Sequence, residues 1–495
     1  MKPTIDMRAF KECDIRGVYG TEMNERIAYG VGRAVAAQTR EVCVAGDVRL
    51  STPELKRALL RGLLEGGAAV TDLGVIPTPV FYYAKHVLGI AGGVMVTASH
   101  NPPQYNGLKL MIGDLPVTPE DVAKLAEQVR AWDFPEGRGT LRFYDVMPQY
   151  LGMIREAFRV KGKLRVVVDA GNGAGGFYVD KVLKPLGANT AGSQYLDPDG
   201  RFPNHIPNPE NEEAMAAIQQ AVLTAKADLG IIFDTDVDRA GAVDDAGREI
   251  NRNRLVALMS AIMIEETPGA TIVTDSITST GLAAFIAQKG GKHHRVKRGY
   301  RNVIDEALRL NAQGIACPMA METSGHCALK ENHFLDDGAY LITKLLIKMA
   351  QLKTQGDATA AALESSRQML RDMEDEGLLA RGTTDVKPEH LGSFEGLAAE
   401  VKQTVLGQDA FVDSVVRAMR RPFVLGTEAP AARNVILLTG GAGTGRHFAL
   451  EETARCMAAR GLLQSDRIAT LDLALYPNSG AEKLFLQDLY AALHA

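Results

Sequence analysis

From residue 41 to residue 96 the chain keeps changing its hydrophobic period, and that change limits the folds open to it. Glu41-Val-Cys-Val-Ala45 reads as a strand. Pro53 to Gly66 reads as a helix, with Leu55, Leu59 and Leu63 at four-residue spacing. Val70-Thr-Asp-Leu-Gly-Val75 is strand-like again, ended by Pro77-Thr-Pro79, and Gly93 to Val96 is a short buried strand. Strands alternating with helices through residues 1–150 argue for an α/β domain. The pattern restarts at about 151–255 and at about 256–370, so three α/β units are expected. A length of 495 residues suggests about three or four domains.

Polar residues sit where these strands end. After Val96 come Thr97, Ala98, Ser99 and His100, then a turn at Asn101-Pro102-Pro103, with Lys109 ten residues after the serine. A serine hydroxyl is a weak nucleophile until a base or a metal activates it, and alone this Ser-His pair is an ordinary polar turn. Asp14-Ile-Arg-Gly17 offers Arg16, whose planar fork suits an anion, although an isolated arginine is more often a surface ion pair.

The strongest signal follows the apolar run Asp228 to Phe233. Asp234-Thr-Asp-Val-Asp-Arg239 places three carboxylates at alternate positions, able to converge on one hard cation such as magnesium. A calcium EF-hand needs glycine sixth and glutamate twelfth; counting from Asp234 those positions hold Arg239 and Asp245. In the third unit, Val296-Lys297-Arg298-Gly299-Tyr-Arg301 is a basic turn around Gly299, and Glu322, Ser324 and His326 alternate along a later loop, a pattern that suits sugar hydroxyls. Gly171-Asn-Gly-Ala-Gly-Gly176 matches a dinucleotide fingerprint, with Asp197 about 20 residues on. Because Asp197-Pro-Asp-Gly200 reads as a turn, a glycine-rich strand-to-helix turn is the preferred reading.

Composition excludes other classes. A net charge of −5 implies no general nucleic-acid role. No run is long enough for a membrane helix, and the N-terminus lacks the apolar core of a signal peptide. Five scattered cysteines, at 13, 43, 317, 327 and 456, form no CxxC pair, so a reducing cytoplasm is expected.

Together, Thr97-Ala-Ser-His-Asn-Pro102, Asp234-Thr-Asp-Val-Asp-Arg239 and Glu322-Thr-Ser-Gly-His326, in this order, resemble the α-D-phosphohexomutases, the phosphoglucomutase/phosphomannomutase family. Asp14-Ile-Arg-Gly17, Asn106-Gly-Leu-Lys109 and Pro198-Asp-Gly-Arg-Phe-Pro-Asn204 also look like family segments, and the likeness covers roughly residues 8–370. It implies three related α/β/α domains around a cleft: 1–150 with the phosphoserine loop, 151–255 with the metal loop, and 256–370 with the sugar loop. It further implies a phosphoserine at Ser99, magnesium held by Asp234, Asp236 and Asp238 with the Ser99 phosphate, and a reacting centre lined by Arg16, His100, Lys109 and Arg239. Lys297 and Arg298 occupy the substrate-contacting basic loop, and Glu322, Ser324 and His326 the sugar loop. The implied activity interconverts hexose 1-phosphate and hexose 6-phosphate, with hexose 1,6-bisphosphate as intermediate and activator. Hexose phosphates are the expected partners; the sequence does not fix the oligomeric state.

The family's fourth-domain phosphate loop, an Arg-x-Ser-Gly-Thr-Glu-Pro pattern, has no counterpart; Arg381-Gly-Thr-Thr384 lacks the Glu-Pro. Ser365 to Glu376 reads as a charged helix, and residues 371–393 as a linker. From 394 to 495 the chain resembles the start of a Clp-type AAA+ module. Val405-Leu-Gly-Gln-Asp409 resembles the entry motif, and the strand Asn434 to Thr439 leads into Gly440-Gly-Ala-Gly-Thr-Gly445-Arg446-His447. Arg446 replaces the P-loop lysine and His447 the magnesium-binding hydroxyl. Ile468 to Leu473 reads as the next strand. The expectation is an incomplete P-loop α/β segment without ATPase activity, keeping at most phosphate contacts from Gly440 to Gly445 and Arg446. Two alternatives to a working mutase follow: an AAA+-like ATP-binding protein, and a weakened mutase scaffold.

Overall fold

The computed structural model describes residues 5–11, 14–113, 115–157, 164–250, 253–354, 393–405, 409–425 and 446–462. The chain divides into two compact units, Met1–Leu379 and Ala380–Ala495.

The first unit opens with β1 (Ile15–Val18), α1 (Glu25–Gln38), β2 (Glu41–Gly46), α2 (Thr52–Glu65), β3 (Ala69–Val75), α3 (Thr78–Leu88), β4 (Gly92–Val96), β5 (Tyr105–Ile112), α4 (Pro119–Ala131), β6 (Thr140–Phe143) and α5 (Met147–Ala157). Local chemistry sets several boundaries. Asn24 caps α1 by accepting from the amides of Arg26 and Ile27, and Thr118 with Asp121 forms a capping box ahead of Pro119. The strands form one sheet in the order β1-β5-β4-β2-β3-β6, in which only β5 runs antiparallel to its neighbours.

Two smaller sheets follow. β7 (Val166–Asp169), α6 (Glu212–Ala225), β8 (Leu229–Phe233) and β9 (Ala240–Asp244) build a sheet ordered β7-β8-β9. α7 (Asn253–Glu266), β10 (Thr271–Asp275), α8 (Thr280–Gln288), β11 (Lys292–Val296), α9 (Tyr300–Ala312), β12 (Met319–Met321), β13 (Cys327–Leu329) and α10 (Gly338–Thr354) build another, ordered β11-β10-β12-β13. β4, β8 and β10 are buried along their whole length, and in β4 and β8 the sequence is accordingly an unbroken apolar run. One continuous core joins all three segments, running from Met95 and Tyr150 through Val168 and Phe233 to Met321 and Leu345.

One device recurs in each segment. A buried strand ends, a polar loop turns, and the next strand returns antiparallel to it: β4 to β5, β8 to β9, β12 to β13. The loops are 97–104, 234–239 and 322–326, the three stretches singled out above. The glycine run 171–176 serves packing: a Cβ on Gly173 would lie 2.8 Å from the Thr235 carbonyl. It leads through a 3-10 turn, Ala174–Gly176, into a helical stretch that includes the π-helix Val179–Leu183.

The described residues of the second unit are helical: α11 (Leu397–Thr404), α12 (Asp409–Leu425) and α13 (Arg446–Ala459). They pack around Phe394, Leu397, Val401, Val412, Cys456 and Met457. Arg460 ties them together through Glu400 and the carbonyls of Ser393 and Glu395. The charged helix 365–376, the strands expected at 434–439 and 468–473, and Gly440 and Gly445 lie outside the described residues. The expected α/β character of this segment therefore has only helices to compare with among the described residues.

Candidate active site

Ser99 stands where β4 ends, buried, in the left-handed region at φ 50°. For a residue with a side chain this conformation is strained, and strain of this kind gathers at functional sites. The Ser99 Oγ lies 3.2 Å from His100 Nδ1 and 3.2 Å from Asp234 Oδ2. Its amide donates to Thr97 Oγ1 at 3.0 Å, and Thr97 Oγ1 donates to Asp47 at 2.8 Å. Burial, then the nearby charges of Arg239 and Arg16, push the His100 pKa down to about 3. The imidazole is therefore neutral near pH 7, with Nδ1 facing the serine hydroxyl.

The second loop brings Asp234, Asp236 and Asp238 together. All three are buried, and their carboxylate oxygens lie within 4.8 Å of one another. Val237 between them also has positive φ, at 71°. Asp236 Oδ2 accepts from Thr78 Oγ1 at 2.7 Å and from Lys109 Nζ at 2.9 Å, and Lys109 also pairs with Asp238. Burial, then the charges of Asp238 and Asp236, push Asp234 well above the carboxylate range. Burial also works against ionised Asp236 and Asp238, but Lys109 outweighs it and holds both below that range. The two aspartates in turn overcome the burial penalty on Lys109 and keep it a cation. Oδ1 of Asp236 and Oδ1 of Asp238 are buried with no hydrogen-bond partner. Orphaned buried carboxylate oxygens in an all-oxygen cluster are what a hard divalent cation satisfies, so the residues present fit magnesium.

Arg239 joins this loop to the third. Its amide donates to Asp234 Oδ1 at 3.2 Å, and its Nε donates to His326 Nε2 at 2.9 Å. His326 Nδ1 faces Asp336 at 2.6 Å. The ring therefore carries its proton on Nδ1, and both nitrogens are engaged within the protein. Tyr300 stacks on the same ring, centroids 5.2 Å apart. Glu322 Oε1 accepts from the Gly299 amide at 2.6 Å, stitching the sugar-type loop to the basic turn, and Ser324 Oγ lies 3.4 Å from Glu322 Oε2. Lys297 and Arg298 are exposed on that turn. Arg16 donates to Asn101 at 3.2 Å and pairs with Asp14.

Ser99, His100, Lys109, Asp234, Asp236, Asp238, Arg239 and His326 thus form one connected polar network, with Arg16 joined to it through Asn101 of the serine loop. Glu322, Ser324, Lys297 and Arg298 share a second patch around Gly299. Gly440 and Gly445 lie outside the described residues, and for Arg446 only its place at the start of α13 is described. Sequence reasoning did not single out Asp47, Arg49, Thr78 or Asp336. Only Asp47-x-Arg49, at the end of β2, carried a signal: a carboxylate and an arginine two residues apart where a buried strand stops.

Three family models match the chain. Their descriptions are phosphoglucomutase/phosphomannomutase alpha/beta/alpha domain I over residues 7–136, domain II over 148–247 and domain III over 251–366. A phosphomannomutase/phosphoglucomutase of Pseudomonas aeruginosa is 36% identical over 369 residues, covering 73% of this chain and 78% of that one. A phosphomannomutase of Escherichia coli is 32% identical over 416 residues, covering 80% and 90%. The crystal structure of a phosphoglucomutase/phosphomannomutase family protein from Burkholderia thailandensis superposes with a TM-score of 0.67 at 34% identity, covering 73% of this chain and 80% of that one.

Proposed function

The chain belongs to the phosphoglucomutase/phosphomannomutase family, and from that premise we propose that it interconverts hexose 1-phosphate and hexose 6-phosphate through a phosphoserine at Ser99. The observation that carries this reading is the approach of the Ser99 hydroxyl to within 3.2 Å of Asp234, inside a buried cluster of three carboxylates.

The phosphoryl group on Ser99 passes to the free hydroxyl of the bound hexose monophosphate. The P–O bond to Oγ breaks, a P–O bond to the sugar hydroxyl oxygen forms, and that hydroxyl's proton passes by way of His100 to Oγ, leaving hexose 1,6-bisphosphate and the free serine. The intermediate turns over, and its other phosphoryl group returns to Ser99. In that return step the Oγ proton passes by way of His100 Nδ1, 3.2 Å away, to the departing sugar oxygen. Lys109 is the weaker candidate for proton transfer, because its ammonium is fixed between Asp236 and Asp238. Arg16 and Arg239 offset charge on the moving group, which phosphoryl transfer requires more than covalent help. Magnesium bound by Asp234, Asp236 and Asp238 supplies a Lewis acid for the phosphoryl oxygens. Glu322 and Ser324 accept from sugar hydroxyls, Lys297 and Arg298 meet the substrate's anionic end, and His326 acts by aiming Arg239.

The test incubates the protein with magnesium, glucose 1-phosphate or mannose 1-phosphate, and a trace of hexose bisphosphate. The 6-phosphate product is expected from the parent and not from Ser99→Ala, with one phosphate on Ser99 by intact mass. Product formation at parental rate by Ser99→Ala refutes the reading. For residues 394–495 we propose no ATPase activity, supported by Arg446 and His447 at the P-loop lysine and hydroxyl positions. A purified chain hydrolysing ATP, with the activity lost in Gly445→Ala, overturns that.

A further inference from the structure

Arg49 lies just beyond β2, with its side chain fully buried. A guanidinium has five N–H donors, and here each meets an oxygen. Nε donates to Asp47 at 3.1 Å. Nη1 donates to the carbonyls of Pro102 at 2.8 Å and Tyr105 at 3.0 Å. Nη2 donates to the carbonyls of Ser99 at 2.6 Å and Asn101 at 2.5 Å. Three of the five acceptors are backbone oxygens of the loop that carries Ser99, a fourth is the carbonyl of Tyr105 where β5 begins, and the fifth, Asp47, also holds Thr97 of that loop. No donor remains for substrate.

The outer face of the guanidinium is covered from the second segment. The Phe202 ring sits 5.1 Å from the Arg49 Cζ, and Phe202 itself takes a left-handed φ of 47°. Two residues earlier, Gly200 presses so closely that a Cβ there would lie 2.5 Å from the Val48 carbonyl. The Pro198 to Asn204 stretch thus closes over the clamp.

We infer that Arg49 is a positioning residue that holds the Ser99 loop in its strained, reactive shape, and that Phe202 locks this clamp to the domain carrying the metal loop. The inference rests on Ser99 being the phosphoryl carrier. A lysine has three donors on one nitrogen and cannot reach five oxygens arranged around a planar fork. The loop carbonyls lose these donors, Pro102 keeping only the Tyr105 amide, and the strain at Ser99 relaxes. Misplacing a reacting group by about 1 Å costs on the order of a hundredfold in rate.

The experiment uses the full chain with Arg49→Lys and, separately, Phe202→Leu, which keeps an apolar cover but removes the ring. Mutase kinetics, thermal unfolding and amide hydrogen exchange are measured on both. For Arg49→Lys we expect kcat to fall roughly 10- to 100-fold with KM within about twofold of the parent. Amides 99–107 should exchange at least about tenfold faster, with the rest of the unit unchanged. For Phe202→Leu the same changes should be about two- to tenfold. Parental kcat and parental exchange in a folded Arg49→Lys, or a defect confined to KM, overturns the inference. If Arg49→Lys does not fold, Phe202→Leu decides by the same criteria. A parent that forms no product overturns the mutase reading instead, while the exchange comparison still judges the clamp.

Discussion

Asp236 is the most heavily used side chain in the site. Its Oδ2 accepts from Thr78 at 2.7 Å and Lys109 at 2.9 Å, while its Oδ1 has no partner. Two donors on one oxygen leave the other free and fix its direction. Asp236→Asn keeps the shape and removes one negative charge beside Lys109. Half-saturation by magnesium should then shift upward by at least about tenfold, the scale seen when metal sites lose supporting groups. The loss should be partly recovered at high magnesium, whereas a chelator should silence the parent completely. A titration of activity against free magnesium reads both; superimposable curves for parent and variant would remove Asp236 from the cation site.

At the scale of elements, the hairpin after each buried strand aims the chemistry, and its tolerance is small. Gly107 in β5 faces Arg16 in β1, and a Cβ there would lie 2.3 Å from the Ile15 carbonyl and 3.1 Å from the Thr97 carbonyl. Gly107→Ala should cost about 1–3 kcal/mol of stability, the usual penalty for forced overpacking, seen as a lower denaturant midpoint. Because Lys109 is two residues along the same strand, kcat should fall with it; a variant with parental midpoint and rate would show that β1 and β5 can part freely. These elements also show what was legible beforehand. β2, β4 and β8 were readable because burial on both faces leaves an apolar run with a polar stop. Ser99 and the aspartates were readable because each follows such a stop, and Glu322 because it alternates with Ser324 and His326. The antiparallel returns were not, since pairing direction leaves little trace in short strands. Arg49 was missed for a related reason: four of its partners are carbonyl oxygens, which every residue has. His326 was read as a sugar contact because spacing marks a loop face but not which nitrogen is already engaged.

Across the whole first unit, the three segments share one apolar core but meet through buried polar struts. Tyr178 reaches Thr343 at 2.7 Å, and Tyr150 of α5 donates to both oxygens of Asp337, the residue just before α10. Asp337 also accepts from the Tyr340 amide and from Asn332. Burial is the dominant influence and raises its pKa from 3.8 to about 6, against the pull of those donors. The sign follows from linkage: a carboxylate harder to ionise in the fold than in the unfolded chain costs nothing below about pH 4. It subtracts stability as pH rises toward 6, and the full penalty is in place above that. The rise from 3.8 to about 6 corresponds to roughly 3 kcal/mol. Asp337→Asn can still cap α10 and accept from Tyr150, and it has no charge to bury. Urea unfolding of both proteins from pH 4 to pH 7 should therefore show the variant gaining on the parent as pH rises, by up to about 3 kcal/mol. Other carboxylates shift both curves alike, so the difference isolates this one. A difference that stays flat across that range would mean Asp337 is ionised without penalty, and that the junction between α5 and α10 is open to water.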